Sequence, residues 1–170
     1  GGSPPVESAT ASPSLTEKLV QLNLVAPLVM SQQAYAALSV GDVPGSIINI
    51  SSVSAVRSSP GTAAYGAAKA GLLNATQSLA MEWGPKVRVN GLVVGLVYHP
   101  ASEAHYGGAE GFKRVADMLP MGRMAEPEDI AKAVVYLCSD DAFYVSGASL
   151  EVHGGGEVPV FLHLAKQGGQ

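Results

Sequence analysis

The apolar positions along the chain follow two periods. Leu15, Leu19, Leu22, Ala26, Met30 and Ala34 recur at three- and four-residue steps, the spacing of one helix face. Pro13 suits a first-turn position and Ser14-x-x-Glu17 forms a capping box, so Ser12 or Ser14 starts this helix. The pattern predicts a helix over 12–38, kinked at Pro27, which lacks an N–H and crowds the preceding turn. After the turn at 41–45, Ser46-Ile-Ile-Asn-Ile-Ser51 is short, β-branched and apolar on both faces, as a buried parallel strand is. A polar loop leads to a second helix over 62–83, with small residues at Ala64, Gly66, Ala67, Ala68, Ala70 and Gly71 that allow another helix to come close. Gly84-Pro85 stops it, and 87–93 reads as a strand. An irregular stretch over 95–111 precedes a short helix ending near 118. Pro127-Glu-Asp-Ile begins a helix to about 139, with acidic residues at its positive end. A last strand over 148–152 is closed by Gly154-Gly-Gly156, and 157–170 reads as a tail. Helices alternating with two-sided apolar strands predict one α/β domain over 1–170, a parallel sheet covered on both faces.

Composition narrows the partners. The chain is 47% hydrophobic and 14% charged, which excludes disorder over most of its length. Its longest apolar stretches fall far below the roughly 20 residues of a membrane span. The start, GGSPPVES, has neither the basic nor the apolar region of a signal peptide. Net charge is −4 with no basic run, so nucleic acid and anionic membrane are poor partners. Cys138 is the only cysteine; it allows no internal disulfide, reads as a core residue, and makes a reducing cytoplasm the expected compartment. The low charge predicts surface hidden against other subunits or a further part of the fold. The four histidines lack metal-ligand spacing, and there is no Gly-x-Ser-x-Gly elbow of a serine hydrolase.

The candidate chemistry centres on Tyr65 and Lys69, four residues apart and so on one helix face. An ammonium near a phenol favours the phenolate, which suits a tyrosine to acid/base work. Ser52 follows the buried strand, and ligands of open parallel sheets sit at the carboxyl ends of strands. Its hydroxyl is placed to hydrogen-bond a substrate oxygen that Tyr65 protonates. Asn23 is polar within an apolar helix; it is either an exposed residue or the holder of an ordered water.

INISS, twelve intervening residues and YGAAK together resemble the active-site signature of the short-chain dehydrogenase/reductase family. Asn23-Leu-Val-Ala-Pro27, Arg88-Val-Asn-Gly91, Gly122-Arg-Met-Ala-Glu-Pro-Glu-Asp-Ile130, Tyr136-Leu-Cys-Ser-Asp-Asp141, Tyr144-Val-Ser-Gly147 and Leu150-Glu-Val-His-Gly-Gly155 resemble further family segments in the same order. The resemblance implies a Rossmann-like doubly wound parallel sheet, of which this chain holds the C-terminal part, about three strands with flanking helices. It implies an NAD- or NADP-dependent oxidoreductase that interconverts an alcohol and a ketone or aldehyde. In that reading Tyr65 is the acid/base, Lys69 lowers its pKa and binds the nicotinamide ribose, Ser52 polarises the carbonyl, and Asn23 supports a water relay. Gly2, Gly95 and Val97 join Tyr65 and Lys69 as cofactor residues; Ser52, Tyr98, His99 and Tyr106 fall at the substrate. Two positions depart from the pattern beside the cofactor, Val94 for Pro and His99 for Thr, and His153 stands where Asp is common. No Gly-x-x-x-Gly-x-Gly phosphate loop occurs, and the family's first four strands have no counterpart here. The rival expectation is therefore a non-catalytic binding or scaffold protein of the same fold. The resemblance further implies a dimer or tetramer built on helices 62–83 and 12–40, with Val158–Leu162 reaching towards another subunit.

Overall fold

The computed structural model describes residues 3–162. The elements are α1 (Pro13–Val20), a π-helical turn (Gln21–Val25), α2 (Ala26–Leu38), β1 (Gly45–Ser52), α3 (Ala63–Trp83), β2 (Val87–Val94), α4 (Ser102–His105), α5 (Gly108–Asp117), α6 (Pro127–Cys138) and β3 (Ser149–Val152). Short 3₁₀ turns at Val53–Ala55 and Asp140–Ala142 follow β1 and α6. The strands form a parallel sheet in the order β1-β2-β3, with Ser52 opposite Val94 and Val94 opposite Val152.

Alternation along β2 sends side chains to two cores. Val87 and Val89 pack with Leu79 of α3, joined by Leu28, Tyr35 and Trp83. Leu92 points the other way, into a cluster with Leu137 of α6 and Ala142. Helices thus cover both faces, as the two-sided strand pattern requires. β1 departs from expectation: it is only partly buried, with Ile50 44% exposed, because no described strand pairs with its outer edge.

The expected single kinked helix is resolved differently. Ala26 N–H reaches back to Gln21 O, five residues away, just before Pro27. Proline has no N–H to continue the ladder, and the wider turn absorbs the interruption while the helix runs on into α2. Cys138 is also corrected. It ends α6 on the outward face and is exposed, while its neighbour Leu137 takes the core position.

The α6 start is fixed by charge. Arg123 Nη1 donates to Asp129 Oδ2 at 2.7 Å, and Glu126 N–H donates to the same oxygen at 2.8 Å. The Arg123 hydrogen bond, then that backbone N–H, hold the Asp129 carboxyl down from 3.8 to about 2. A carboxyl depressed on folding adds stability above its unfolded pKa and loses it as pH falls through the folded value. Melting temperature is therefore expected to drop between pH 3.8 and about 2, and Asp129→Asn to flatten that part of the profile. An unchanged profile in the variant refutes the assignment.

Candidate active site

Ser52 is the last residue of β1, in extended conformation, and its Oγ accepts from Ser54 N–H at 3.2 Å, closing the 3₁₀ turn. Its neighbour Ser51 faces the other way and donates to the Lys69 carbonyl at 3.0 Å. The turn lies directly on α3 because position 66 is glycine: a Cβ there would stand 2.8 Å from Ser54 O. This contact carries Ser52 to the first turns of α3, where Tyr65 is half-buried. One turn on, Lys69 is buried; its Nζ lies 5.8 Å from the Tyr65 ring centroid and donates to Ile50 O at 2.9 Å. Burial pushes the Lys69 ammonium below its usual 10.5.

Asn23 is not the exposed helix residue its setting allowed. It is buried in the π-helical turn, and its Nδ2 donates to Leu19 O at 3.0 Å. The turn packs on α3 through Leu24, whose Cδ2 would stand 3.1 Å from a Cβ at Gly71. The small residues of α3 thus serve two neighbours, a helix at Gly71 and a loop at Gly66. Asn23 and Ser52 sit on elements that each pack on α3, the helix that carries Tyr65 and Lys69.

Gly95 leaves β2 pressed on His153; a Cβ would lie 2.7 Å from His153 Cα. Val97 pairs with Ala125 in a parallel bridge. Ala125 N–H donates to Leu96 O at 2.9 Å and Tyr98 N–H to Ala125 O at 2.7 Å. The Val97 N–H and C=O have no partner among the described residues. Gly2 lies outside the described residues. The substrate-loop residues are partly committed to packing. Tyr98 stacks edge-on against Phe112 of α5 at 5.9 Å. His99 is exposed; its N–H donates to Ser102 Oγ at 2.9 Å, and its Nδ1 accepts from Ala101 N–H at 3.1 Å. Tyr106 is half-buried, and burial, with the negative Glu157 adding to it, pushes its phenol above 10.0.

The structure adds residues the sequence reading did not select. A cavity of about 110 Å³ is bounded by Val53, Val56, Arg57, Gly95, Leu119 and Glu157. A larger one, about 340 Å³, shares its Leu96, Leu119 and His153 walls and reaches Arg123 and Asp129. Arg57 and Glu157 are a hundred residues apart in sequence. Only the glycine run before Glu157, all three at positive φ, signals that the chain turns back after β3.

Three parallel strands, helices on both faces and a polar cluster at the carboxyl end of β1 define a Rossmann-like α/β protein. A family model described as enoyl-(acyl carrier protein) reductase matches residues 3–157. The (3R)-3-hydroxyacyl-CoA dehydrogenase of Canis lupus familiaris is 36% identical over 140 residues, 82% of this chain and 53% of that protein. A solved 4-hydroxyisoleucine dehydrogenase mutant, complexed with NADH and succinate, superposes with TM-score 0.83 at 28% identity, covering 91% of this chain and 64% of its own. A short-chain dehydrogenase/reductase of Brucella melitensis gives 0.82 at 29% identity, over 91% of this chain and 61% of that one. The chain belongs to the short-chain dehydrogenase/reductase family, a family of oxidoreductases. It spans about half the length of the curated relatives it matches.

Proposed function

We propose that the protein is an NAD- or NADP-dependent oxidoreductase that interconverts a small alcohol and its ketone or aldehyde. One observation carries this reading: Tyr65, half-buried, stands beside the buried Lys69 cation on the helix against which the Ser52 turn is packed. The residues present fit the nicotinamide end of a dinucleotide. Val97 offers an unpaired backbone donor and acceptor for a carboxamide, Gly95 gives the close backbone passage beside it, and Lys69 supplies a cation for a ribose hydroxyl. The sequence holds no Gly-x-x-x-Gly-x-Gly loop of the kind that cradles a pyrophosphate.

When bound, the nicotinamide gives or takes the hydride. Tyr65 Oη gives the proton to the carbonyl oxygen in reduction and takes it from the hydroxyl in oxidation. Lys69 balances the negative charge left on that oxygen, and Ser52 Oγ donates to the substrate oxygen and holds it in line. Asn23, with Nδ2 fixed on Leu19 O, keeps its Oδ1 for a water that passes the proton onward. The protein acts as a homo-oligomer in the cytoplasm; Leu22, Met30 and Met81, exposed on the first helical segment, α2 and α3, supply apolar surface for a second copy. No described helix is long and apolar enough to cross a membrane.

The test is a fluorescence titration with NADH and then NADPH. Saturable enhancement by one of them supports the reading and names the cofactor. The absence of saturable binding by both overturns it and leaves a family member without redox activity, the binding or scaffold protein.

A further inference from the structure

Arg57 is the arginine that lines the smaller cavity. It follows the 3₁₀ turn that Ser52 caps, with its N–H on Val53 O at 3.2 Å. Its Nη2 donates to Glu157 Oε1 at 2.6 Å and its Nη1 to Ser58 O at 2.9 Å. A guanidinium has five N–H donors, so three have no acceptor among the described residues. The ion pair is only half covered, the side chains being 41% and 33% exposed, and pairs so placed hold weakly. The cavity beside the pair has apolar walls at Val53, Val56, Leu96 and Leu119, and one polar wall at His153. Glu157 reaches this place only because Gly154, Gly155 and Gly156 all take positive φ and fold the chain over Pro120 and Met121. A carboxylate brought back across the sheet ends to sit on a cation beside a small apolar cavity mimics a bound acid.

We propose that Arg57 determines specificity at this site by taking the carboxylate of a short hydroxy or oxo acid, whose aliphatic body lies between Val53 and Leu119, in place of Glu157. The planar fork of the guanidinium matches a carboxylate with two parallel hydrogen bonds, one more than Glu157 makes. Val53, one wall of the cavity, is the residue after Ser52, which puts the cavity next to the end of β1. The substrate class rests on the oxidoreductase reading; the anion site itself does not.

The experiment is a calorimetric titration of the protein with racemic 3-hydroxybutyrate and with its neutral amide, 3-hydroxybutyramide, each with and without NADH. The acid is expected to bind and the amide not. Arg57→Met should weaken the acid at least about tenfold, the loss of a charge-assisted pair. Glu157→Gln should strengthen it, because the competing carboxylate is gone. Opposite signs in the two variants are what a ligand site requires; a merely structural strap weakens alike in both. Equal weakening, binding of acid and amide alike, or no binding of the acid in either condition overturns the proposal. Acid binding that obeys these signs without any NADH or NADPH binding refutes the oxidoreductase reading and leaves the anion site standing.

Discussion

Replacing Tyr65 with Phe is expected to lower turnover by roughly two to four orders of magnitude, the usual contribution of a positioned proton donor, and to leave the fold intact. The substitution removes one oxygen and no packing. The Tyr65 hydroxyl makes no hydrogen bond to a described residue, and the ring is only half-buried, so nothing in the core is orphaned. The rate of nicotinamide oxidation at saturating substrate reads the first effect and the circular-dichroism melting curve the second. Turnover equal to the parent protein removes Tyr65 from the chemistry. A melting temperature that falls with activity instead makes the residue structural.

Lys69 cannot be separated as cleanly. It donates to Ile50 O on the unpaired edge of β1 while it stands beside the Tyr65 ring. Its loss would disturb the strand and the acid/base together. Burial lowers its pKa, so the folded state carries the cost of the buried cation at neutral pH and sheds it as pH rises towards 10.5. A residue kept charged at such a position is a poor choice for stability alone.

The candidate constellation was legible because its geometry is local. Tyr65 and Lys69 are one helical turn apart, and Ser52 closes a strand whose apolar pattern is unambiguous. The strand boundaries follow for the same reason: β2 runs one residue further than its pattern predicts and β1 one residue further at each end. The stretch over 95–111 differs: it is not irregular throughout but holds α4 and the start of α5. What escaped depends on distant partners. Asn23 is named by the resemblance, but its burial is not legible: it looks like any polar helix residue until the π-helical turn before Pro27 turns it inward, and a turn with one extra residue leaves no mark on helical spacing. Cys138 and Leu137 adjoin at the end of an apolar helix, and only the position of the sheet decides which one is covered. Arg57 sits in a serine-rich loop and Glu157 after a glycine run, and no local pattern encodes their meeting. The small residues of α3 do make close contacts, at Gly71 with Leu24 and at Gly66 with the backbone of the Ser52 turn, which makes Gly66 part of how the site is assembled.

The largest loss of stability is expected from Asn90→Ala. Asn90 lies in β2, fully buried, and its side chain does the work of a missing strand segment. Nδ2 donates to Val145 O at 2.8 Å, and Oδ1 accepts from Ala148 N–H at 3.0 Å. With Gly147 N–H on Val89 O and Gly91 N–H on Ala148 O, both 2.8 Å, it ties the connection from α6 to the start of β3. Alanine leaves the part-buried Ala148 N–H without its partner and takes one of two donors from Val145 O, which keeps Arg88 Nη1 at 3.2 Å; one orphaned group costs about 1–3 kcal/mol, so the loss is about 2 kcal/mol. That is a large share of the 5–15 kcal/mol that typically holds a domain together. Urea unfolding measures it, and Ser78→Ala is the control: its exposed hydroxyl donates only to Asn74 O within α3, and its removal should cost less than about 0.5 kcal/mol. Amide exchange gives a second reading that global destabilisation alone would not. Gly147 and Ala148 should lose protection beyond the fall in total stability, while Leu72 and Thr76 in the core of α3 follow the total. A loss below about 1 kcal/mol, smaller than one orphaned group costs, would mean that the connection is held elsewhere. His153, against Gly95, and Glu157, on Arg57, both follow β3, so loosening Ala148 just before that strand should also weaken acid binding at that site.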